Sequence, residues 1–569
     1  MKEWLEASKN AEDKSGSGIG RRQLLKTVGL ASVALAAGSL LEGGKASASV
    51  TGVYLDVKDF GAAGNGVADD WAAFQAAFDV AKNPNDVQNS NKSVTIVVPE
   101  GTYVVRQELR LYRNTTLLMA PKARIVRMHN GYILKNGFKN SSDPQGAPET
   151  YGGYDGHGNI KIVGGTFDIN ADEYPSKASG FHFGHGDGFF IDGITMLDAA
   201  NSHGIEFNAC QNVVVTRSKF HGYIGEGSIN EAIQLDLAYR GLTTIGRDDG
   251  TACRNVHITQ CEFKGSSTPG AVSWYRAVGS HTAMAGKWHE DIWVTNNTIE
   301  NSGSFAIRAY SWRRFHIDNN HLINCAAGIN VRTSIVGTHT IDVNGNQTNT
   351  SQPSESGTVS GNLIVGGLTN GRAIEVYGGD NGRPTGIMVI GNDITANSAT
   401  SINDGINIHY GDNCIVSNNR ISGVGGSGIA VNADSLDTVV DGNSIEDAKR
   451  HGILVDGGCH YTKVTGNNIK LVDQIGIYVN GSMESITVTG NTIAGVNRSG
   501  ADNEFIKFNG SVKRVVLSAN SVRNFSTNAV TTKGLTVSSS SDIFVSVGNN
   551  FLGFTVSNAA TNQKVFDLV

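Results

Sequence analysis

The sequence predicts an all-β fold: a single-stranded, right-handed parallel β-helix closed at its start by a short capping helix. Two recurring phrases and the composition predict it. The first phrase has five positions and opens on a small residue. It reads Gly204-Ile205-Glu206-Phe207-Asn208, Ala232-Ile233-Gln234-Leu235-Asp236 and Ala277-Val278-Gly279-Ser280-His281, and it continues to Phe505-Ile506-Lys507-Phe508-Asn509. Positions two and four are aliphatic or aromatic, while three and five are mostly polar, which is a strand with one buried face. Copies recur mostly about every 22 to 29 residues, so the segment is a solenoid. The second phrase runs in phase with the first: Asn296-Asn297-Thr298-Ile299, Gly391-Asn392-Asp393-Ile394, Gly442-Asn443-Ser444-Ile445 and their relatives. Each follows a short alternating run, so every period holds two further strands around an Asn turn, where Asn tolerates αL and can bond its neighbours above and below. The 71 glycines and 39% hydrophobic content suit a thin, turn-rich solenoid.

Residues 1–48 read as an export signal. Arg21-Arg22-Gln23-Leu24-Leu25-Lys26 precedes an apolar run, Thr27 to Leu41, too short to span a membrane, and Ala46-Ser47-Ala48 offers a small-x-small cleavage site. The paired arginines resemble a twin-arginine signal, with an ordinary secretory signal as the alternative. Either sends the protein out of the cytoplasm, and no other segment is apolar enough to hold it in a membrane. The β-helix domain is then 49–569, with the cap and first coil at 53–103, regular coils over 157–530 and closing strands at 531–569. A net charge of −6 gives no electrostatic reason to expect nucleic acid. The six cysteines show no metal spacing; Cys253 and Cys261 could pair across a turn, but buried free thiols are the simpler expectation.

After the signal comes Val57-Lys58-Asp59-Phe60-Gly61-Ala62-Ala63-Gly64-Asn65-Gly66, then Asp69-Asp70-Trp71-Ala72-Ala73-Phe74-Gln75-Ala76-Ala77-Phe78. Asp69 or Asp70 can cap a helix with Trp71, Phe74 and Phe78 at i, i+3, i+7, plugging the open end of the solenoid. With Ile96-Val97-Val98-Pro99-Glu100-Gly101-Thr102-Tyr103, this opening resembles the pectate-lyase superfamily, which implies a β-helix but no one chemistry. Glu231 to Asp236, Asp249-Gly250-Thr251-Ala252-Cys253 and Val278-Gly279-Ser280-His281 resemble proteins related to glycoside hydrolase family 28. The paired-Asp, Gly-His-Gly and Arg-x-Lys set of polygalacturonases is missing, since Gly184-His185-Gly186 lies upstream of Asp236. The aligned Asp ligands of calcium-dependent pectate lyases and the Asp-Pro-His of alginate epimerases are missing too.

Chemistry is therefore sought in columns of side chains from stacked coils. The outward third position reads His182, Glu206, Gln234, Gly279, Arg308, Asn330, Glu375, Asn407. The fifth reads Gly184, Asn208, Asp236, His281, Tyr310, Arg332, Tyr377, His409. About ten coils give a groove on the order of 45–50 Å for an extended polysaccharide, and the interruptions after Leu237 and Thr333 would wall it. The expected activity is a polysaccharide lyase acting on a uronic-acid polymer. Arg308 or Arg332 would neutralise the carboxylate, and His281 or Tyr310 would move the proton. Glu206, Asn208 and Asp236 could hold Ca²⁺. His182, Asn208, Gln234, Asn330, Glu375, Tyr377, Asn407 and His409 would contact the substrate. Two alternatives remain open: a glycoside hydrolase with Glu206 and Asp236 as acid and base, and a non-catalytic glycan-binding or adhesion solenoid. The expected assembly is a monomer or a homotrimer. Taken singly, an outward His or Arg is ordinarily a surface residue. Glu231, just before the alternation, reads as a turn cap.

Overall fold

Short β-branched runs separated by Asn and Gly build a coil of three strands, and stacking the coils gives every backbone group a partner above and below. The computed structural model describes residues 52–82, 92–137, 151–175, 177–225, 230–240, 245–334, 340–397, 403–500, 504–525 and 531–568. The expected export signal lies outside them. Among the described residues the strands form two networks, one of 35 strands and one of 16. The 16-stranded sheet carries the five-position phrase, from Leu109–Leu111 through Ile205–Asn208 and Ile429–Asn432 to Thr555–Asn558. The named strands pair in parallel, coil on coil, as in Ile429↔Ile453 and Val431↔Val455. Positions two and four face the core: Ile205, Phe207, Ile233, Leu235, Ile429 and Val431 are fully buried.

The one α-helix among the described residues, Trp71–Asp79, sits where the capping motif places it and buries Phe74 and Phe78. Its two candidate caps divide the work. Asp69 accepts from the Trp71 N–H at 3.1 Å, while Asp70 turns to the Ala63 N–H at 2.5 Å and holds the preceding loop. Trp71 is only partly buried, its indole N–H donating to the Glu108 carbonyl at 3.0 Å.

The Asn turn also splits into two jobs. The first residue of each pair supplies the left-handed backbone, with φ 57° at Asn296, 55° at Asn418 and 65° at Gly442. The second is buried and forms a ladder. Asn443 donates to Asn467 Oδ1 at 3.0 Å and to the Val416 carbonyl at 2.9 Å, while its own oxygen accepts the Asn419 backbone N–H at 3.0 Å. The series runs from Asn297 to Asn549, whose amide ends on Asp567 Oδ1 at 2.8 Å. Asn443→Ala strands buried partners on both neighbouring coils, so urea unfolding should show a loss of about 1–3 kcal/mol. All six cysteines are buried and free, so Cys253 and Cys261 are not bridged.

Candidate functional site

The outward columns form in the expected register. His182 stands beside Glu206, Glu206 beside Gln234, Gln234 beside Gly279 and Gly279 beside Arg308. Arg308 neighbours Asn330, and the column continues through Glu375 to Asn407. In the fifth column Asn208 adjoins Asp236, and Tyr310, Arg332, Tyr377 and His409 follow one another. One member is out of place. The strand ends at Gly279, so His281 lies beyond it, and its ring reaches back towards Glu231 and Gln234.

A second departure concerns burial. Outward side chains of an open groove should be wet, yet His182, Asn208, Gln234 and Asp236 are 0% exposed and Glu206 is 4% exposed. Glu231–Asp236 is buried at all six positions, whereas the later strand Ile477–Asn480 alternates. The expected loops account for much of this. The Ala238 N–H bonds the Thr251 carbonyl, the Arg240 N–H bonds the Val343 carbonyl at 3.0 Å, and Ala283 bridges Thr340. Leu237, Ala252 and Met284 pack together with Tyr239 into a small apolar cluster of their own. Three excursions thus pack against one another beyond the fifth column, where its upstream members are buried.

At the centre of this face is a residue read as a turn cap. Glu231 is fully buried and accepts from Arg276 Nη1 at 2.8 Å, with His281 Nδ1 at 3.3 Å and His203 Nδ1 at 3.5 Å. Burial alone would raise its pKa, but His281 and Arg276 outweigh it and hold the carboxyl far below the usual range. In return, Glu231 overcomes the burial of His281 and raises that imidazole. Beside it, Glu206 accepts from Ser179 at 2.9 Å and meets His182 Nδ1 at 3.0 Å; these contacts override burial and leave it at about 2. Asp236 accepts from Gln234 Nε2 at 2.9 Å and from the Thr282 hydroxyl, yet burial lifts it to about 6, with His281 opposing.

The Asp236 shift has a definite sign in stability. Its folded pKa exceeds the unfolded value of 3.8, so the folded state holds the extra proton between 3.8 and about 6, and stability falls as pH rises through that window. Asp236→Asn removes this dependence. Relative to wild type, the variant should therefore gain up to about 3 kcal/mol between pH 4 and pH 7 in paired urea titrations.

Downstream the character changes. Arg308 lies over the Tyr310 ring at 4.5 Å and Arg332 over Tyr377 at 4.5 Å, and Tyr377 stacks on His409 at 4.4 Å. Among the described residues neither guanidinium has a carboxylate within ion-pair distance. Burial, then the nearby Arg276, pulls Arg308 down to about 9. Asn330 donates to Glu375 at 2.8 Å; Arg372 holds the other Glu375 oxygen at 2.6 Å and approaches Asp404 at 3.5 Å. Burial raises Glu375 even against Arg372. The side-chain oxygens of Asn208, Gln234, Asn407 and Asn432 are buried on this face without a hydrogen-bond partner.

Among the described residues no group of three or more His, Cys, Asp or Glu is arranged to hold a metal, and Glu206 and Asp236 are turned into separate hydrogen-bond sets. Sequence reasoning missed Glu231, His203, Arg276, Arg372 and Asp404, although a signal existed. Each is the residue immediately before the small opening residue of a phrase, a column polar in the central coils. Upstream, Arg110 and Lys135 extend the third column above His182, in coils whose phrase is too degenerate to align by eye.

Comparison with known proteins places this geometry. Residues 54–330 match the family described as rhamnogalacturonase A/epimerase, pectate lyase-like, and residues 336–552 match the right-handed beta helix region. The chain is similar to plasmin and fibronectin-binding protein A of Streptococcus pneumoniae (strain ATCC BAA-255 / R6), 29% identical over 272 residues, 43% of this chain and 36% of that protein. The matched region thus spans little more than a third of that relative. The crystal structure of PfbA, a surface adhesin of Streptococcus pneumoniae, superposes with a TM-score of 0.55 at 23% identity, covering 73% of this chain and 91% of that one. The expectation of a lyase or glycoside hydrolase is overturned here, because these relatives are named as a binding protein and an adhesin. The catalytic roles assigned to Glu206, Asp236, His281, Arg308, Tyr310 and Arg332 go with it. The chain is a right-handed parallel β-helix, and just under half of it, residues 54–330, is similar to the pectate-lyase-like family.

Proposed function

We propose that this protein is a non-catalytic adhesion solenoid, working outside the cytoplasm, that holds an extended acidic glycan along the columns between His182 and His409. One observation carries the reading: Arg308 and Arg332 lie over Tyr310 and Tyr377 with no carboxylate of their own. Arg308 is buried and Arg332 half-buried, and a ligand carboxylate would supply the two parallel hydrogen bonds that no protein carboxylate makes to either guanidinium. By contrast, the acids upstream are already engaged by protein donors, which suits a rigid wall better than a proton shuttle.

Calorimetric titration with oligouronides and with neutral oligosaccharides of the same length tests this. Binding of the uronide, weakened by salt and unaccompanied by new reducing ends or unsaturated product, is expected. Equal affinity for the neutral chain, or binding only to deglycosylated fibronectin or plasmin, would replace this reading with a different one.

A further inference from the structure

The face of the large sheet carries a feature the glycan columns do not use. One outward position in each coil forms a straight column bounded by Lys161 at one end and Lys463 at the other. Between them every residue from Phe190 to Val439 is apolar, aromatic, His or Thr, through Val214, His257, Trp293, His316, Thr358, Met388 and Ile415. At its centre His257 stacks on Trp293 at 4.3 Å with planes 1° apart, and His316 continues the stack at 5.8 Å. The His316 side chain is 44% exposed, Met388 is 37% and Ile415 is 36%. An outward column on a solvent-facing sheet is ordinarily polar. This one carries no charged side chain other than its histidines, while its flanks are polar, with Thr259, Thr295 and Asp318 on one side and Asn255, Asp291 and Arg314 on the other.

We propose that this stripe is a self-association surface whose partner is a second copy of the chain, stripe against stripe. Eight coil steps of about 4.8 Å make it roughly 38 Å long, and the flanking columns make it about 13 Å wide. Two copies would bury on the order of 1,000 Å² together, the threshold for a specific interface. An apolar centre with a polar rim is the anatomy of such an interface. The rim is electrically balanced, with Arg314 paired to Asp291 at 2.7 Å within one copy, so two rims can meet without net repulsion. The lysines close the stripe at both ends, so two identical stripes match in length and nothing longer is needed to cover them. Flat sheets pack face to face at about 10 Å without reshaping either backbone. The inference stands apart from the glycan reading, because none of these residues belongs to the glycan columns.

Sedimentation velocity on the purified chain tests it, from the nanomolar range to about 100 μM. A concentration-dependent dimer is expected, weakened at least about tenfold by Trp293→Lys and by His316→Glu, with circular dichroism and melting unchanged. A photo-crosslinking residue at position 358 supplies a second readout that needs no disruptive change. Its adducts should fall between Phe190 and Val439 of the other copy. A monomer at every concentration, dimerisation unmoved in both variants, or adducts mapping elsewhere would overturn the proposal.

Discussion

Glu231→Ala should lower the unfolding free energy by about 3–5 kcal/mol, the cost of taking one partner from a buried ion pair. The carboxylate is inaccessible and serves three cationic or titratable groups at 2.8, 3.3 and 3.5 Å. Removing it takes the Glu231 carboxylate from the buried Arg276 guanidinium and from two imidazoles that stack at 5.8 Å. The space is equally specific. Gly279 has no side chain here, and a Cβ would stand 3.3 Å from Glu231 Cγ and 3.1 Å from the Arg308 carbonyl oxygen. Glu231→Gln keeps the volume and one acceptor, so it should fall between wild type and alanine. An exposed pair such as Arg420 with Asp393 gives the contrast, its side chains 58% and 39% exposed. Breaking that pair should change stability by less than about 1 kcal/mol. Urea unfolding of the three variants ranks them, and a Glu231→Ala loss no larger than that of the exposed pair would remove Glu231 from the centre of the site.

The contrast between the two kinds of repeat explains what could be read from the chain. Ile205, Ile233, Ile329 and Ile453 each follow a small residue, so the inward face and its register are written locally and the columns could be listed in advance. The Asn turns are local as well, which is why Asn443 and Asn467 were legible as a stack. Burial of the outward face was not. It depends on segments such as 237–240, 245–252 and 340–348 folding back over strands far away in sequence, and nothing in their composition gives the direction of that return. Glu231 was misjudged for a related reason. It stands before the period-two alternation, at the corner where the chain enters the strand, and a periodicity argument says nothing about a corner. His281 shows the converse: Ser280 and His281 complete the phrase in sequence, but the strand stops at Gly279. The aromatic stripe went unseen because its members occur singly, with His257, Trp293 and His316 in three separate runs that only the register brings together.

Arg308→Met separates recognition from stability, since the two should respond by very different amounts. The guanidinium is 8% exposed and faces Tyr310 without an anion. Losing it removes a cation–π contact worth about 0.5–2 kcal/mol, but it also removes a buried charge that no protein carboxylate pairs directly. Met retains most of the volume and can place sulfur against the ring. Stability should therefore shift by no more than about 1 kcal/mol, and either sign is compatible with the balance of these contributions. Binding has no such offset. A desolvated carboxylate–guanidinium contact that loses one partner costs about 2–4 kcal/mol, or on the order of 30- to 1,000-fold in affinity for an acidic oligosaccharide. Arg308→Lys keeps the charge but not the planar fork and should lie between the two. Affinity for a neutral chain of the same length should barely move in any of these variants. Calorimetry and melting on the same samples give the decisive pair of numbers. Affinity lost in step with melting temperature would make Arg308 a structural residue, whereas affinity lost at constant melting temperature identifies the group that holds the ligand's charge.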